Sequence, residues 1–177
     1  MIADQVLSRV EDLHARCLIH CDIKPENFMV GYGPQASTVF LIDLGLASEY
    51  CDMDTRAHIP MARDIDFVGN AEYASARALG GCEQSRRDDL EAVAYMLIRF
   101  LVGHLPWDRQ DNDIAGEEWF DYITKQKALL PVPMICQGCP KEFEQCLKYC
   151  RKLKFDAEPD YNHLRRLFRS CFKREGY

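Results

Sequence analysis

The stretch that decides how this chain is read is His20-Cys21-Asp22-Ile23-Lys24-Pro25-Glu26-Asn27. It has the pattern H-x-D-x-K-x-x-N, and the spacing has a chemical reason. Asp22 can accept the proton of an attacking hydroxyl, and Lys24, two residues on, can neutralise charge on a phosphoryl group in transfer. Asn27, one loop further, can ligate a divalent cation through its amide oxygen. A second metal ligand belongs on a nearby strand, and Val39-Phe40-Leu41-Ile42 runs directly into Asp43-Leu44-Gly45. Either segment alone is a weak signal. The two in this order, separated by a hairpin-like gap through Gly31, Gly33 and Pro34, make a strong one.

The rest of the chain bounds what that pair can belong to. A length of 177 residues suits one domain with a sizeable core. Apolar content of 47% and charged content of 28% are those of an ordinary soluble globular protein. Net charge is -6 with the signs interspersed. No Lys/Arg run suggests a nucleic-acid or anionic-membrane surface, so neither is expected as a partner. Met1-Ile2-Ala3-Asp4 has no basic or apolar leader character, and no signal peptide is expected. The longest apolar run, residues 92–102, is too short to span a bilayer and contains Arg99. The cysteines number nine, an odd count, and are expected to be reduced thiols in the cytosol or nucleus.

Periodicity predicts a mainly helical chain with a minimal β-hairpin at the site. Ile2, Val6, Val10 and Leu13 fall at helical spacing and predict an amphipathic helix over 2–16. Two short strands follow, over 28–30 and 39–42. Residues 44–80 hold little periodicity, as expected of a long functional loop. Residues 88–102 are apolar on every face, the mark of a buried central helix. Further helices are predicted around Trp119, Phe120 and Ile123, around Phe143 to Leu153, and around Tyr161 to Phe172. Cys136-x-x-Cys139 and Cys146-x-x-x-Cys150 have spacings that suit a tetrahedral zinc site. Yet Cys146 and Cys150 lie on the apolar stripe of their helix, where a free Cys packs as a small hydrophobe, and packing is the expected role. Arg86-Arg87 beside Asp88-Asp89 is expected to form a structural salt-bridge cluster.

At this point the chain resembles the C-terminal lobe of the casein kinase I family of Ser/Thr protein kinases. The resemblance rests on Ala3-Asp4-Gln5, the 20–27 loop, Asp43-Leu44-Gly45-Leu46-Ala47 and His58-Ile59-Pro60. Its most specific segment is Glu83-Gln84-Ser85-Arg86-Arg87-Asp88-Asp89-Leu90-Glu91, followed by Leu105-Pro106-Trp107 and Pro159-Asp160-Tyr161. The vaccinia-related kinases share some of these features but fit the 83–91 run less well. The resemblance covers residues 1–177 as one partial kinase domain. It implies ATP and Mg²⁺ as cofactors and protein substrates as partners. Asp22 and Lys24 would be catalytic, and Asn27 and Asp43 would hold the metal. Lys24 argues for Ser/Thr acceptors. His20 and Leu44 would stack in the hydrophobic spine behind the active site, and Met29 would lie under the adenine ring. Asp89 would cap the backbone of the catalytic loop. Gly69, Asn70, Glu72 and Tyr73 would belong to the loop that binds the acceptor.

Departures from the family pattern carry their own expectations. No G-x-G-x-x-G occurs, so the phosphate-covering loop, the strand Lys and its Glu partner are expected from an upstream lobe that these residues do not include. Cys21 replaces the Arg that often receives an activation-loop phosphate. Leu44 replaces Phe. Asn70 stands for a Thr that bonds the catalytic Asp and Lys. Arg77 occupies the place where most kinases put the Glu of a buried ion pair, so that pair is expected to be absent. Ala62 and Glu72 replace basic residues that receive anionic substrates. Asp108, Asp111, Asp113, Glu117 and Glu118 replace a lysine-rich stretch. Weak preference for phosphate-primed acceptors is therefore expected. The alternative function is an inactive lobe, a pseudokinase, serving as a protein-binding module.

Overall fold

The computed structural model describes residues 1–108 and 116–177. Helix α1 (Ile2–His14) buries Val6, Leu7, Val10 and Leu13 along one stripe. Strand β1 (Leu18–Ile19) then enters the 20–27 loop, which closes in a single 3₁₀ turn, Pro25–Asn27. Pro25 sits in the first turn, where a missing N–H costs no hydrogen bond. Strands β2 (Phe28–Val30) and β3 (Val39–Leu41) pair antiparallel, with Phe28 opposite Leu41 and Val30 opposite Val39. A Cβ at Gly31 would collide with the backbone of Gln35, so the hairpin needs glycine there. Strand β4 (Ser48–Glu49) returns to pair with β1, with Leu18 opposite Glu49. This second sheet is a finding beyond the single hairpin expected. Strands of two residues are too short for alternation to reveal them.

From Tyr50 to Ser75 the described backbone is turns and isolated bridges, Cys51 with His58 and Arg63 with Cys82. Ser75 caps the short helix α2 (Ala76–Leu79), accepting from Ala78 N at 3.0 Å. Helix α3 (Arg86–Val102) begins two residues earlier than periodicity predicts. Its start is set by a capping box between Ser85 and Asp88. Its end is set by Gly103, left-handed at φ 86°, which terminates the helix without a Cβ penalty. Every residue from Arg87 to Ile98 is buried. Full burial of each Leu, Ile or Met there contributes about 1.5–3 kcal/mol. Around α3 stand α4 (Glu117–Leu129), α5 (Val132–Ile135), α6 (Lys141–Lys152) and α7 (Tyr161–Arg174), with α6 against α3 and α7 against α1. Asp111 and Asp113 lie outside the described residues.

The nine cysteines are free thiols, and Cys146 and Cys150 are buried in the core between α3 and α6. Among the described residues no group of three or more His, Cys, Asp or Glu is arranged to hold a metal. The 86–89 cluster is only in part the salt-bridge cluster expected. Arg87 Nε lies 3.5 Å from Asp88, but among the described residues Arg86 pairs with no carboxylate. Its guanidinium lies over the Tyr50 ring at 4.6 Å and donates to Asp156 O at 3.0 Å. Stacking on an aromatic face replaces the ion pair. Among the described residues no helix is long and apolar enough to cross a membrane.

Candidate active site

The 20–27 loop folds onto its own aspartate. Lys24 Nζ donates to Asp22 Oδ2 at 2.6 Å, and Asn27 Nδ2 donates to the same oxygen at 3.1 Å and to Asp22 O at 2.8 Å. Both side-chain donors therefore converge on one carboxylate oxygen. Neither of these donors takes the other oxygen, Oδ1. The carboxylate bond holds the Lys24 ammonium above its ordinary pKa. Both Asn27 bonds to Asp22 use its amide nitrogen and not its oxygen.

Ile42 ties the two halves of the site together. Its N–H donates to Asn27 O at 2.9 Å, and its carbonyl accepts from His20 Nε2 at 3.0 Å. His20 Nδ1 then accepts from Asp22 N at 3.3 Å, which fixes the neutral imidazole with its proton on Nε2. The residue after Ile42 is Asp43, exposed and left-handed at φ 60°, with Oδ1 accepting from Gly45 N at 3.3 Å. A side chain held at positive φ is uncommon, and here it turns the carboxylate out of the strand. Asn27 and Asp43 are thus anchored through one shared backbone bond.

Behind the loop lies Asp89, buried at the start of α3. Its Oδ2 accepts from His20 N at 2.7 Å and its Oδ1 from Cys21 N at 3.0 Å. His14 Nε2 adds a third bond to Oδ2 at 2.8 Å, and Tyr161 OH bonds His14 Nδ1 at 2.6 Å. Three elements, α1, α3 and α7, converge on the backbone that carries Asp22. Cys21 is left-handed at φ 64°, and its bond to Asp89 uses only its N–H. Replacement of an Arg side chain there leaves the clamp intact. Burial pushes the Cys21 thiol well up, which disfavours its thiolate.

The proposed acceptor loop meets the catalytic loop at Gly69. Its φ is +118°, and a Cβ there would collide with the carbonyl oxygen of Cys21. Glycine is what lets the two backbones touch. Asn70 Oδ1 accepts from Glu72 N at 2.9 Å, so its side chain organises its own turn and not Asp22 or Lys24. Tyr73 is buried, and burial pushes its phenol up. Glu72 is not a free anion. It pairs with Arg99, which also donates to Asp108 Oδ1 at 2.7 Å.

Two buried charged residues escape a reading by motif. Glu91 on α3 accepts from Tyr95 OH at 2.6 Å and from Ala76 N at 3.3 Å. It lies 3.4 Å from Arg151 Nε and 3.5 Å from Arg77 Nη1. Position 77 therefore carries no glutamate to make the usual pair; its arginine instead lies beside Glu91, a glutamate on α3. Lys127 on α4, 0% exposed, donates to the carbonyls of residues 71, 72 and 74. Its signal was available. Lys127 stands four residues after Ile123 on the apolar face of α4, where a surface lysine has no place.

Of the remaining expected residues, Met29 is 54% exposed and Leu44 51% exposed, whereas His20 is fully buried. Val30 and Leu46 are exposed as well. With this geometry in place, comparison with known families matches the chain to the model of the protein kinase domain over residues 1–165.

Proposed function

Because the chain belongs to the protein kinase domain family, we propose that it transfers the γ-phosphoryl group of ATP to Ser or Thr hydroxyls of proteins, as the catalytic lobe of a casein kinase I-like enzyme. The observation that carries this is the Asp22 carboxylate, with Lys24 and Asn27 both on Oδ2. Asp22 Oδ1 accepts the proton of the acceptor hydroxyl. Lys24, held beside it, faces the phosphoryl oxygens and offsets their charge. An aliphatic hydroxyl is shorter than a phenol, and a lysine two residues after the base suits it. Asn27 through its amide oxygen and Asp43 through its exposed carboxylate would hold Mg²⁺. That ion, when bound with ATP, neutralises charge on the phosphates and orients them.

An upstream lobe is part of this proposal. Met29, Val30, Leu44 and Leu46, which follow Asn27 and Asp43 in the chain, are exposed apolar side chains that a nucleotide and a second lobe would cover. Residues 1–177 hold no G-x-G-x-x-G loop. Phosphoryl transfer depends mainly on positioning, so these residues by themselves should turn over negligibly.

The test joins residues 1–177 to an ATP-binding lobe of the casein kinase I type and supplies casein, ATP and Mg²⁺. Transfer to Ser and Thr is expected. Asp22→Asn should lower kcat by about 10²–10⁴-fold, the usual contribution of a general base, with ATP affinity nearly intact. Asp43→Ala should remove Mg²⁺-dependent nucleotide binding. No transfer by the joined protein would sink the proposal. Loss of ATP binding in Asp22→Asn as severe as in Asp43→Ala would sink the division of roles.

A further inference from the structure

We propose that Lys127 is a positioning residue, holding residues 71–74 in the shape that receives the protein acceptor; this rests on the phosphotransfer function proposed above. Its Nζ donates to Ala71 O at 2.8 Å, Glu72 O at 2.8 Å and Ala74 O at 2.6 Å. An ammonium has three N–H donors and no acceptor, and here three carbonyls of one loop receive them. The head also lies 4.9 Å from the Tyr95 ring centroid and 4.7 Å from that of Trp107. Trp107 Nε1 donates to the same Glu72 carbonyl at 2.9 Å, so two side chains from different segments fix one peptide group.

Lysine is almost never fully buried, because its charge must leave water. Burial accordingly depresses the Lys127 pKa, against the attraction of Glu91 and Glu72. A methionine of similar length would fill the same space between the rings with no charge to desolvate. What the ammonium adds over methionine is the set of three bonds, and all three fall on the loop. That loop begins at Gly69, pressed on the carbonyl of Cys21 next to Asp22, and ends at Ser75, whose Oγ donates to Asp88 Oδ1 at 2.6 Å. Its ends are therefore set by the catalytic loop and by α3. Its middle is set by Lys127 from α4.

The test compares wild type with Lys127→Met and with Ile123→Ala, a fully buried residue one turn earlier on α4. Two readouts are taken: amide hydrogen exchange of residues 71–75 in the 177-residue chain, and KM for acceptor and for ATP in the joined enzyme. Lys127→Met should speed exchange of those amides by about ten-fold or more relative to α6, and should raise the acceptor KM by a similar factor. KM for ATP should stay within about two-fold. Ile123→Ala should lower Tm but leave the loop exchange and acceptor KM near wild type. Loop exchange in Lys127→Met equal to wild type overturns the proposal. So does an Ile123→Ala variant that matches Lys127→Met in both readouts. If Lys127→Met does not fold, Lys127→Gln is read by the same two measures. If even the wild-type joined enzyme fails to transfer phosphate, the proposed function falls, and the exchange data alone decide the role of Lys127.

Discussion

Two carboxylates on α3 stand two residues apart, and α-helical geometry sends them to opposite sides of the helix. Asp89 faces the catalytic loop and Glu91 faces α2 and the acceptor loop. Each is 3% exposed or less. They are satisfied by different means. Asp89 is bound by two backbone amides and a histidine. Glu91 is bound by a tyrosine, one amide and two arginines, Arg77 from 14 positions earlier and Arg151 from 60 later. Amides come with the backbone whatever the side chains are, so the Asp89 clamp survives the change to Cys21. Arginines must be supplied by particular positions and can be traded among them. Glu91 shows this, drawing one arginine from α2 and one from α6.

The sharpest way to break this comparison is Asp89→Ala. It strands the N–H groups of His20 and Cys21 in a buried setting, at about 1–3 kcal/mol each, and leaves His14 without its acceptor. Denaturant unfolding should show the larger stability loss of the two sites. Turnover of the joined enzyme should vanish, because the backbone that carries Asp22 is no longer held. Unfolding within about 1 kcal/mol of wild type would mean that the amides find other partners.

Glu91→Gln is expected to do less. The amide keeps acceptors for Tyr95 and Ala76, and the loss is the charge facing Arg77 and Arg151. Breaking a fully buried pair costs about 3–5 kcal/mol, but these arginines are 30% and 20% exposed, so water screens part of it, and about 1–3 kcal/mol is expected. That corresponds to a Tm loss of several degrees. Turnover per folded molecule should fall far less than in Asp89→Ala. Equal losses of turnover in the two variants would erase the distinction between a backbone clamp and a side-chain network.

The same contrast explains what the sequence disclosed. The 20–27 loop, the strand into Asp43 and the start of α3 each carry their signature residues within a few positions of one another, although Asp89 holds the loop from far along the chain. Val6, Val10 and Leu13, or Tyr161, Leu164 and Phe168, reveal their helices by spacing alone. Glu91, Arg151, Arg99 and Lys127 are not legible in that way. Their charged partners lie 9 to 60 residues off, and charge on a sequence does not say which charges meet. The salt-bridge expectation for Arg86 failed for this reason: Tyr50, 36 residues earlier, offered its ring instead. The acidic character assigned to Glu72 was sound as composition, but Arg99 answers it in space.

A third carboxylate, buried but paired with a half-exposed arginine, gives a scale for the other two. Glu142, at the start of α6, pairs with Arg174 at the end of α7. Arg174 holds the Glu142 carboxyl below its ordinary value of 4.5. A depressed carboxyl stabilises the fold above its unfolded pKa, and that stabilisation is lost as pH falls through the folded pKa. Glu142→Gln should therefore lower Tm at pH 7 by less than Glu91→Gln does. The difference from wild type should close as pH falls below the ordinary carboxyl range and the wild-type carboxyl is protonated as well. Because Arg174 is 43% exposed, the effect should also shrink in high salt. A Tm difference that persists unchanged at low pH would show that Glu142 acts by packing and not by charge.

The smallest expected effect concerns the acceptor itself, and it sharpens the Glu91 side of the comparison. Two positions expected to be basic in a phosphate-primed enzyme are Ala62 and Glu72. A charge-assisted hydrogen bond contributes about 1.5–3 kcal/mol, so losing one or two removes ten-fold or more of any preference for a phosphorylated acceptor. Repulsion by the acids in their place is weaker than composition suggests. Arg99 lies between Glu72 and Asp108, so two negative charges and one positive leave a net of one negative there. At physiological salt the Debye length is about 8 Å, and that residual charge is largely screened from a phosphate lying beyond it. Peptides differing only in a phosphoserine three residues before the acceptor Ser should therefore have kcat/KM values within about three-fold of each other in the joined enzyme. Arg99→Ala should unmask both acids and disfavour the phosphorylated peptide several-fold, more so at low salt. A strong wild-type preference for the phosphorylated peptide would mean that another cation, such as the exposed Arg63, reads the phosphate. An Arg99→Ala variant that leaves the ratio unchanged would mean that the triad lies outside the acceptor's path.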